Sequence, residues 1–175
     1  MNAYCLYCKS GSEHNLVKLI KKSFKEHLSE NVAIYYPTRL MNQKKKGQWS
    51  EVEQPLLPGY IFLFLPQEIA LPTFLLTQEK NVYKILRYSD GTMALKEDDR
   101  NYAMWLYDHK GYLKPSTVIF EEGQLIKIVD GPLREMEGKI EKVDRRHRRV
   151  VVNAMFAGAV RKLNLSINII DQLKS

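Results

Sequence analysis

Helical periodicity is confined to the first part of this 175-residue chain, and this limits the fold more than any other feature. In residues 13–29, apolar side chains recur at three- and four-residue spacing, which predicts an amphipathic helix. Residues 97–109 begin with acidic side chains and are followed by Gly111, as helix start and stop rules require. After residue 118 only short β-prone segments remain. We therefore expect an α+β fold in which a mixed domain precedes a small β domain.

The first domain is predicted to span residues 1–110. Short apolar, aromatic-rich segments at residues 4–8, 32–36 and 60–65 predict strands. Residues 37–54 are polar and basic with Gly47 near the middle, so we expect an exposed hairpin or loop. Residues 71–80 suggest a short helix, and Ser89-Asp90-Gly91 predicts a hairpin between strands at 82–88 and 92–95.

A linker is predicted at residues 111–118, followed by a second domain at 119–175. Its β-prone segments are residues 125–129, 139–143, 150–154 and 159–163, separated by turn signals such as Asp130-Gly131-Pro132. Several short strands at this spacing predict a small SH3-like β-barrel. Its expected core residues are Ile126, Ile128, Ile140 and Val143, and Gly138 is expected where the backbone passes too closely for a side chain.

Positive charge is concentrated in two segments. The formal net charge is +7, yet residues 145–162 alone hold six Lys and Arg residues and no acid. Four arginines there can pair with phosphates or with guanine edges, which is typical of a nucleic-acid-binding surface. The simpler alternative is a non-specific electrostatic surface. The second segment, at Lys44, Lys45 and Lys46, could equally be a solvated loop.

Two motifs follow one another along the chain. The first is Pro55-Leu56-Leu57-Pro58-Gly59-Tyr60-Ile61-Phe62, preceded by Tyr4-Cys5-Leu6-Tyr7-Cys8-Lys9-Ser10-Gly11. The second comprises Phe120, Gly123, Asp130-Gly131-Pro132-Leu133 and Gly138-Lys139-Ile140, with Phe156, Leu163 and Leu165 in its closing strands. The first motif resembles the N-terminal (NGN) domain, and the second the KOW barrel, of the NusG family of transcription elongation factors. The resemblance implies an antiparallel sheet flanked by helices, followed by a small barrel.

The resemblance also implies partners. The NGN domain is expected to bind the clamp helices of RNA polymerase through Tyr7, Leu57, Tyr60 and Phe62. The alternative is that some of these residues belong to the core. Because strand alternation places Tyr60 and Phe62 on one face, we expect them to share the same role. Candidate DNA contacts, to upstream or non-template DNA, are Lys9, Lys44, Lys45, Lys46 and Arg87.

Departures from the general factors suggest a specialised paralog of the RfaH or LoaP type, with LoaP preferred. After Phe156 the chain reads Ala-Gly-Ala-Val, where the general factors usually carry Gly-Arg, and its arginine segment is unusually dense. A LoaP-type factor would bind an RNA hairpin in the nascent transcript and promote readthrough of terminators. The expected RNA-binding residues are Lys139, Arg145, Arg146, His147, Arg148, Arg149, Arg161 and Lys162.

Other classes of function are disfavoured. Cys5 and Cys8 form an isolated C-x-x-C pair within a predicted strand, so we expect buried structural cysteines and neither a metal site nor a redox centre. No motif for catalysis or for a cofactor stands out, and no export signal or membrane-spanning segment. We therefore expect a cytoplasmic, monomeric, non-enzymatic factor without cofactors, with the ribosome as a further candidate partner. The competing hypothesis is a stand-alone KOW protein that binds RNA or the ribosome without a polymerase role.

Overall fold

The computed structural model describes residues 1–28, 32–121 and 126–170. The elements in chain order are β1 (Asn2–Cys8), α1 (Glu13–Leu28), β2 (Ala33–Tyr35), β3 (Thr38–Lys45), β4 (Gln48–Pro55), β5 (Tyr60–Leu65), α2 (Thr73–Thr77), β6 (Val82–Ile85), α3 (Glu97–Asp108), β7 (Tyr112–Leu113), β8 (Ser116–Phe120), β9 (Ile126–Asp130), a 3-10 helix (Pro132–Lys139), β10 (Ile140–Asp144), β11 (Arg149–Phe156) and β12 (Ala159–Ile169). They form two compact units. The first comprises residues 1–37 and 57–111, and the second comprises residues 38–56 and the described part of 112–175.

The first unit is built on a four-stranded antiparallel sheet in the order β2-β5-β1-β6. Helix α1 packs its apolar side chains Leu16, Ile20 and Phe24 on one face of this sheet, where each is at most 2% exposed. Burial of three large side chains stabilises the unit by roughly 1.5–3 kcal/mol each. The predicted amphipathic helix is therefore confirmed.

Strand β5 is buried on both faces. Ile61, Leu63 and Leu65 belong to the cluster that α1 covers. On the other face, Phe62 lies 6.0 Å from the ring of Tyr102, and Phe64 lies 4.9 Å from the ring of Tyr107 in α3. This two-sided cover explains why Tyr-Ile-Phe-Leu-Phe-Leu shows no alternation with polar residues.

The second unit contains a curved five-stranded sheet in the order β10-β11-β12-β8-β9. It curls into a half-barrel, which we call the barrel. Neighbouring strands are antiparallel except β12 and β8, which are parallel. The barrel core consists of fully or almost fully buried apolar side chains: Val118, Leu133, Val150, Val152, Ala154, Phe156, Leu163, Leu165 and Ile167. The predicted α+β fold with a C-terminal barrel is confirmed.

The turn before the 3-10 helix requires glycine. Gly131 has a φ of 103°, and a Cβ atom there would lie 2.6 Å from Ser116 Oγ. The same hydroxyl accepts a hydrogen bond from the backbone N–H of Leu133 at 3.0 Å. The tight Gly-Pro turn predicted from the sequence therefore has a steric cause.

The β3–β4 hairpin also belongs to the second unit. It pairs with β7 in a separate three-stranded sheet and is anchored on β12 by the buried residue Asn42. The backbone N–H of Asn42 donates to Ser166 Oγ at 2.8 Å, and its side-chain amide donates to Ile167 O and Asn168 Oδ1. Arg39 Nη1 donates to the backbone carbonyl of Asn164. The hairpin is thus fixed on the barrel by four hydrogen bonds, two of which are buried.

Several local predictions were wrong. The second strand expected at residues 92–95 is absent from the described residues, because Leu95 donates its N–H to Ala3 and not across the turn. A Cβ atom at Gly138 would point into open space, so close approach does not explain this glycine. Of the four expected barrel core residues, only Ile128 is buried. Residues 111–118 contain β7 and the start of β8, and the 3-10 helix was not foreseen. Gly123 of the KOW signature and position 125 lie outside the described residues.

Candidate functional site

The Pro-Gly-Tyr turn is held by a buried carboxylate. Glu13 is only 2% exposed, and its two oxygens accept hydrogen bonds from the backbone N–H groups of Gly11 at 2.7 Å and Gly59 at 2.8 Å. Gly59 has a φ of 84°, and a Cβ atom there would lie 3.1 Å from the carbonyl oxygen of Cys8. The motif therefore fixes the position of Tyr60, which follows the turn directly.

Tyr60 belongs to an aromatic group that we call the tyrosine cluster, formed by Tyr7, Tyr60 and Tyr83. Tyr7 lies opposite Tyr60 in the β1–β5 register, with ring centroids 5.3 Å apart, and the Tyr83 ring is 5.6 Å from Tyr7. Tyr83 is 59% exposed, and the ammonium group of Lys84 lies 5.8 Å from the Tyr7 ring centroid. Tyr83 and Lys84 could not be recognised from the sequence, because only the β1–β6 pairing brings them beside Tyr7.

Leu57 and Phe62, which the sequence analysis grouped with Tyr7 and Tyr60, are buried. Phe62 is 0% exposed, and Leu57 is 8% exposed. Tyr60 and Phe62 alternate on one face but differ in burial, because α3 covers that face at Phe62 while Tyr60 at the strand end stays partly exposed.

We call the arginine-rich segment the basic loop. It comprises Arg145, Arg146, His147, Arg148 and Arg149. Its first four residues form the turn between β10 and β11, and Arg149 opens β11. Arg146 is exposed. The strand-to-strand loop expected from the sequence is confirmed.

Two arginines of the basic loop lie on aromatic rings. The Arg145 guanidinium is 4.7 Å from the Phe120 ring centroid, and the Arg148 guanidinium is 4.4 Å from the Trp49 ring centroid. Such cation–π contacts are worth about 0.5–1 kcal/mol at exposed sites. They restrict both guanidinium groups before any ligand arrives.

Asp144 orders the turn of the basic loop. Its carboxylate accepts a hydrogen bond from the backbone N–H of His147 at 2.9 Å and contacts His147 Nδ1 at 2.8 Å. These bonds, the backbone one first, hold the pKa of Asp144 below its ordinary value. No motif in the sequence indicated a role for this acid.

The outlying basic residues differ in their surroundings. Lys139 is exposed at the end of the 3-10 helix. Lys162 forms an ion pair with Glu141 at 2.8 Å, and Arg161 Nε donates to the carbonyl of Phe156 at 3.4 Å. Since both Arg161 and Lys162 already have partners in the barrel, the centre of the positive surface is the basic loop itself.

The three consecutive lysines lie at the tip of the β3–β4 hairpin. Lys46 and Gly47 form its two-residue turn with φ values of 50° and 84°, as a type I′ turn requires. All three lysines are exposed, and the ammonium group of Lys44 lies 5.9 Å from the Trp49 ring centroid. Trp49 therefore brings the hairpin and the basic loop together within the second unit.

Lys9 and Arg87 are exposed residues of the first unit. Arg87 contacts the sulfur of Met93 at 3.6 Å. No group of ligands suited to a metal ion occurs among residues 1–28, 32–121 and 126–170. None of the helices in those ranges combines the length and apolar character needed to cross a lipid bilayer.

The two cysteines are free and buried, as the sequence predicted. Burial raises the pKa of Cys5 well above its ordinary value. Burial, and then the Glu13 carboxylate, raises the pKa of Cys8 to about 11. Because the thiolate is the reactive form, both thiols are poor nucleophiles at neutral pH.

Comparison with known proteins agrees with this architecture. The family model described as transcription termination factor nusG matches residues 1–102. The transcription termination/antitermination protein NusG of Helicobacter pylori strain J99 is 23% identical over 179 residues, covering 99% of each chain. NusG of Escherichia coli K12 is 20% identical and covers 97% of this chain and 94% of its own.

A solved structure has the same fold. The chain in "Domain interaction in Thermotoga maritima NusG" superposes with a TM-score of 0.52 at 20% identity, covering 95% of this chain and 93% of its own. The NusG family consists of non-enzymatic factors. Since the family model covers more than half of the sequence, this chain belongs to the NusG family of transcription termination/antitermination factors.

Proposed function

We propose that this chain is a specialised, LoaP-type elongation and antitermination factor. It binds RNA polymerase through the tyrosine cluster and an RNA hairpin in the nascent transcript through the basic loop. The observation that carries the proposal is the basic loop itself, with arginines presented on one ordered turn and two of them held on aromatic rings. The factor acts in the cytoplasm as a monomer, binds no cofactor and catalyses no reaction.

The tyrosine cluster has the chemistry of a binding surface. Its rings offer apolar area, and their hydroxyl groups supply polar contacts at the rim, which is why tyrosine is enriched where interfaces concentrate their binding energy. The partner is the pair of clamp helices of RNA polymerase, for which an aromatic surface on a rigid sheet provides a docking face. Bound there and at the opposite rim of the main channel, the factor would keep the clamp closed and disfavour pausing.

RNA recognition by the basic loop follows from arginine chemistry. Guanidinium groups pair bidentately with phosphates and with guanine edges. Because A-form RNA hides its base edges in a narrow major groove, these arginines require a loop, a bulge or a distorted groove. Lys139, Arg161 and Lys162 extend the same positive surface.

DNA contacts form a separate part of the proposal. The exposed lysines at the tip of the β3–β4 hairpin, Lys44, Lys45 and Lys46, are suited to phosphates of upstream or non-template DNA. Lys9 and Arg87 are further DNA candidates in the first unit. The ribosome is a further candidate partner of the barrel.

Parallel binding assays on two variants test the proposal. One variant replaces all four arginines of the basic loop with alanine, and the other carries Tyr7→Ala and Tyr60→Ala. We expect the first to lose binding to a structured RNA hairpin and to retain core RNA polymerase in a pull-down. We expect the second to show the reverse.

Two results would contradict the proposal. Unchanged RNA affinity in the four-arginine variant would reject the basic loop as the RNA site. Absence of polymerase binding by the unmodified chain would favour the competing hypothesis of a stand-alone KOW protein.

A further inference from the structure

A cavity of 220 Å³ lies within the second unit, between the β3–β4 hairpin and the start of β11. We call it the Trp49 pocket. Its lining side chains carry amide, aromatic or basic groups and no carboxylate: Asn42, Gln43, Lys44, Trp49, His147 and Arg149. It is smaller than the roughly 300–1,000 Å³ of sites for drug-sized ligands, which limits an occupant to a group about as large as a nucleobase.

The wall of the pocket contains an unsatisfied hydrogen-bond donor, in the side chain of Arg149. Arg149 Nε is buried and has no hydrogen-bond partner within the described structure. Buried donors of this kind are rare, because leaving one unpaired costs stability. The Arg149 guanidinium and the Lys44 ammonium group both carry positive charge at the pocket. They therefore favour an occupant with hydrogen-bond acceptors or negative charge.

Trp49 supplies a stacking surface. Its side chain is 36% exposed, although it is a large apolar ring. Two cations approach the ring, the Arg148 guanidinium at 4.4 Å and the Lys44 ammonium at 5.9 Å. An aromatic ring beside cations is the combination with which proteins bind single-stranded nucleic acid.

The walls of the pocket are held in place before a ligand binds. Asn42 is fixed on β12 by three hydrogen bonds, and His147 is fixed by Asp144. Binding sites supported in this way lose less conformational entropy when the ligand arrives. The arrangement is therefore suited to one defined group and not to a general electrostatic contact.

We propose that the Trp49 pocket binds one unpaired nucleotide of a single strand, with its base against Trp49 and its acceptor atoms toward Arg149 and Lys44. This inference rests on the proposed function, because the same nucleic acid would contact the basic loop. It adds that recognition needs an unpaired base and the β3–β4 hairpin, whereas a duplex can contact only the surface arginines.

Fluorescence anisotropy with the full chain tests the pocket. The probes are a labelled RNA hairpin with a single-stranded loop, the same stem closed as a blunt duplex, and a DNA hairpin of the same sequence. The pocket variants are Trp49→Ala and Lys44→Gln. Matched controls are Phe74→Ala, which removes another exposed aromatic ring, and Lys127→Gln, which removes another exposed charge of the barrel.

Trp49→Ala should weaken binding of the looped RNA by about 5- to 150-fold, the range that corresponds to loss of one base–aromatic stack. Trp49→Ala should weaken binding of the blunt duplex by at most about 2- to 5-fold, because it also releases the Arg148 guanidinium from the ring. Both controls should bind like the unmodified chain. Trp49→Phe keeps an aromatic ring and should restore most of the affinity, which separates lost stacking from misfolding. Lys44→Gln should lower the slope of log affinity against log salt concentration by about 0.7, which is the loss of one phosphate contact to a single strand.

If Trp49→Ala and the unmodified chain bind the looped RNA with equal affinity, the Trp49 pocket does not bind a nucleotide. The proposed function would not be affected by that result. An equal loss on the blunt duplex would overturn the nucleotide site as well. If the unmodified chain binds neither hairpin nor duplex, the proposed function itself fails. A loss on RNA alone identifies the strand as RNA, and a loss on both probes supports an unpaired nucleotide of either kind.

Discussion

Replacing the buried carboxylate of Glu13 should destabilise the first unit more than any exposed acid can. Glu13→Ala leaves the N–H groups of Gly11 and Gly59 without their charged acceptor. A hydrogen bond to a charged group contributes about 1.5–3 kcal/mol, so the loss of two should cost about 3–6 kcal/mol. Glu13→Gln keeps one acceptor oxygen and should cost about half as much.

Urea denaturation followed by tryptophan fluorescence measures this loss. The chain has two tryptophans, and Trp105 lies buried in α3 of the first unit. A Trp49→Phe background therefore makes Trp105 the sole reporter. With a denaturant dependence of about 2 kcal/mol per molar, Glu13→Ala should lower the midpoint by about 1.5–3 M.

Asp98→Asn is the matched control, since Asp98 is an exposed acid in the first turn of α3. Loss of its interaction with the helix dipole should cost at most about 1 kcal/mol. A midpoint shift below about 0.5 M for Glu13→Ala would refute the reasoning, because the two backbone N–H groups would then not depend on the carboxylate.

Further predictions concern the barrel, the thiols and the basic loop. Gly131→Ala should cost about 1–3 kcal/mol, because a backbone conformation near φ 103° suits glycine alone, and a thermal melt of the barrel should show it as a midpoint about 10 °C lower. Since burial raises the pKa of Cys8 to about 11, its thiol should resist a disulfide reagent at pH 8 in the folded chain and react after unfolding; reaction at the rate of a free thiol would contradict this. Each arginine of the basic loop that contacts a phosphate should, when replaced by alanine, lower the salt slope of RNA binding by about 0.7–0.9, and an unchanged slope would exclude that contact. Lys162→Gln breaks an exposed ion pair with Glu141 and should change stability by less than about 1 kcal/mol in a denaturant titration.

Features encoded by local pattern could be predicted from the sequence. The spacing of Leu16, Ile20 and Phe24 gives α1, and the apolar segment of β5 gives a buried strand, because each pattern lies within one element. The Gly131-Pro132 turn was also predictable, although its steric cause became visible only with Ser116 in place.

Features that depend on packing between distant elements could not be predicted. Alternation suggested one role for Tyr60 and Phe62, but α3 covers Phe62 and leaves Tyr60 partly exposed. Strand order was needed to place Tyr83 beside Tyr7. No pattern in the sequence links these residues before the sheet is formed.

The anchoring of the β3–β4 hairpin is a second case of this kind. Asn42 and Ser166 are 124 residues apart, and their hydrogen bond holds one wall of the Trp49 pocket. No single sequence motif predicts this pocket. In the sequence, the lysines and the arginines form two separate basic segments. Only the fold shows that Trp49 lies between Lys44 and Arg148.

Transcription in vitro through tandem terminators tests the central claim most directly. Purified RNA polymerase would transcribe templates with and without an upstream sequence that encodes a candidate RNA hairpin, in the presence or absence of this chain. We predict readthrough that requires both the hairpin and the arginines of the basic loop. Equal readthrough without the hairpin would contradict this prediction and return the chain to the general factors of the family.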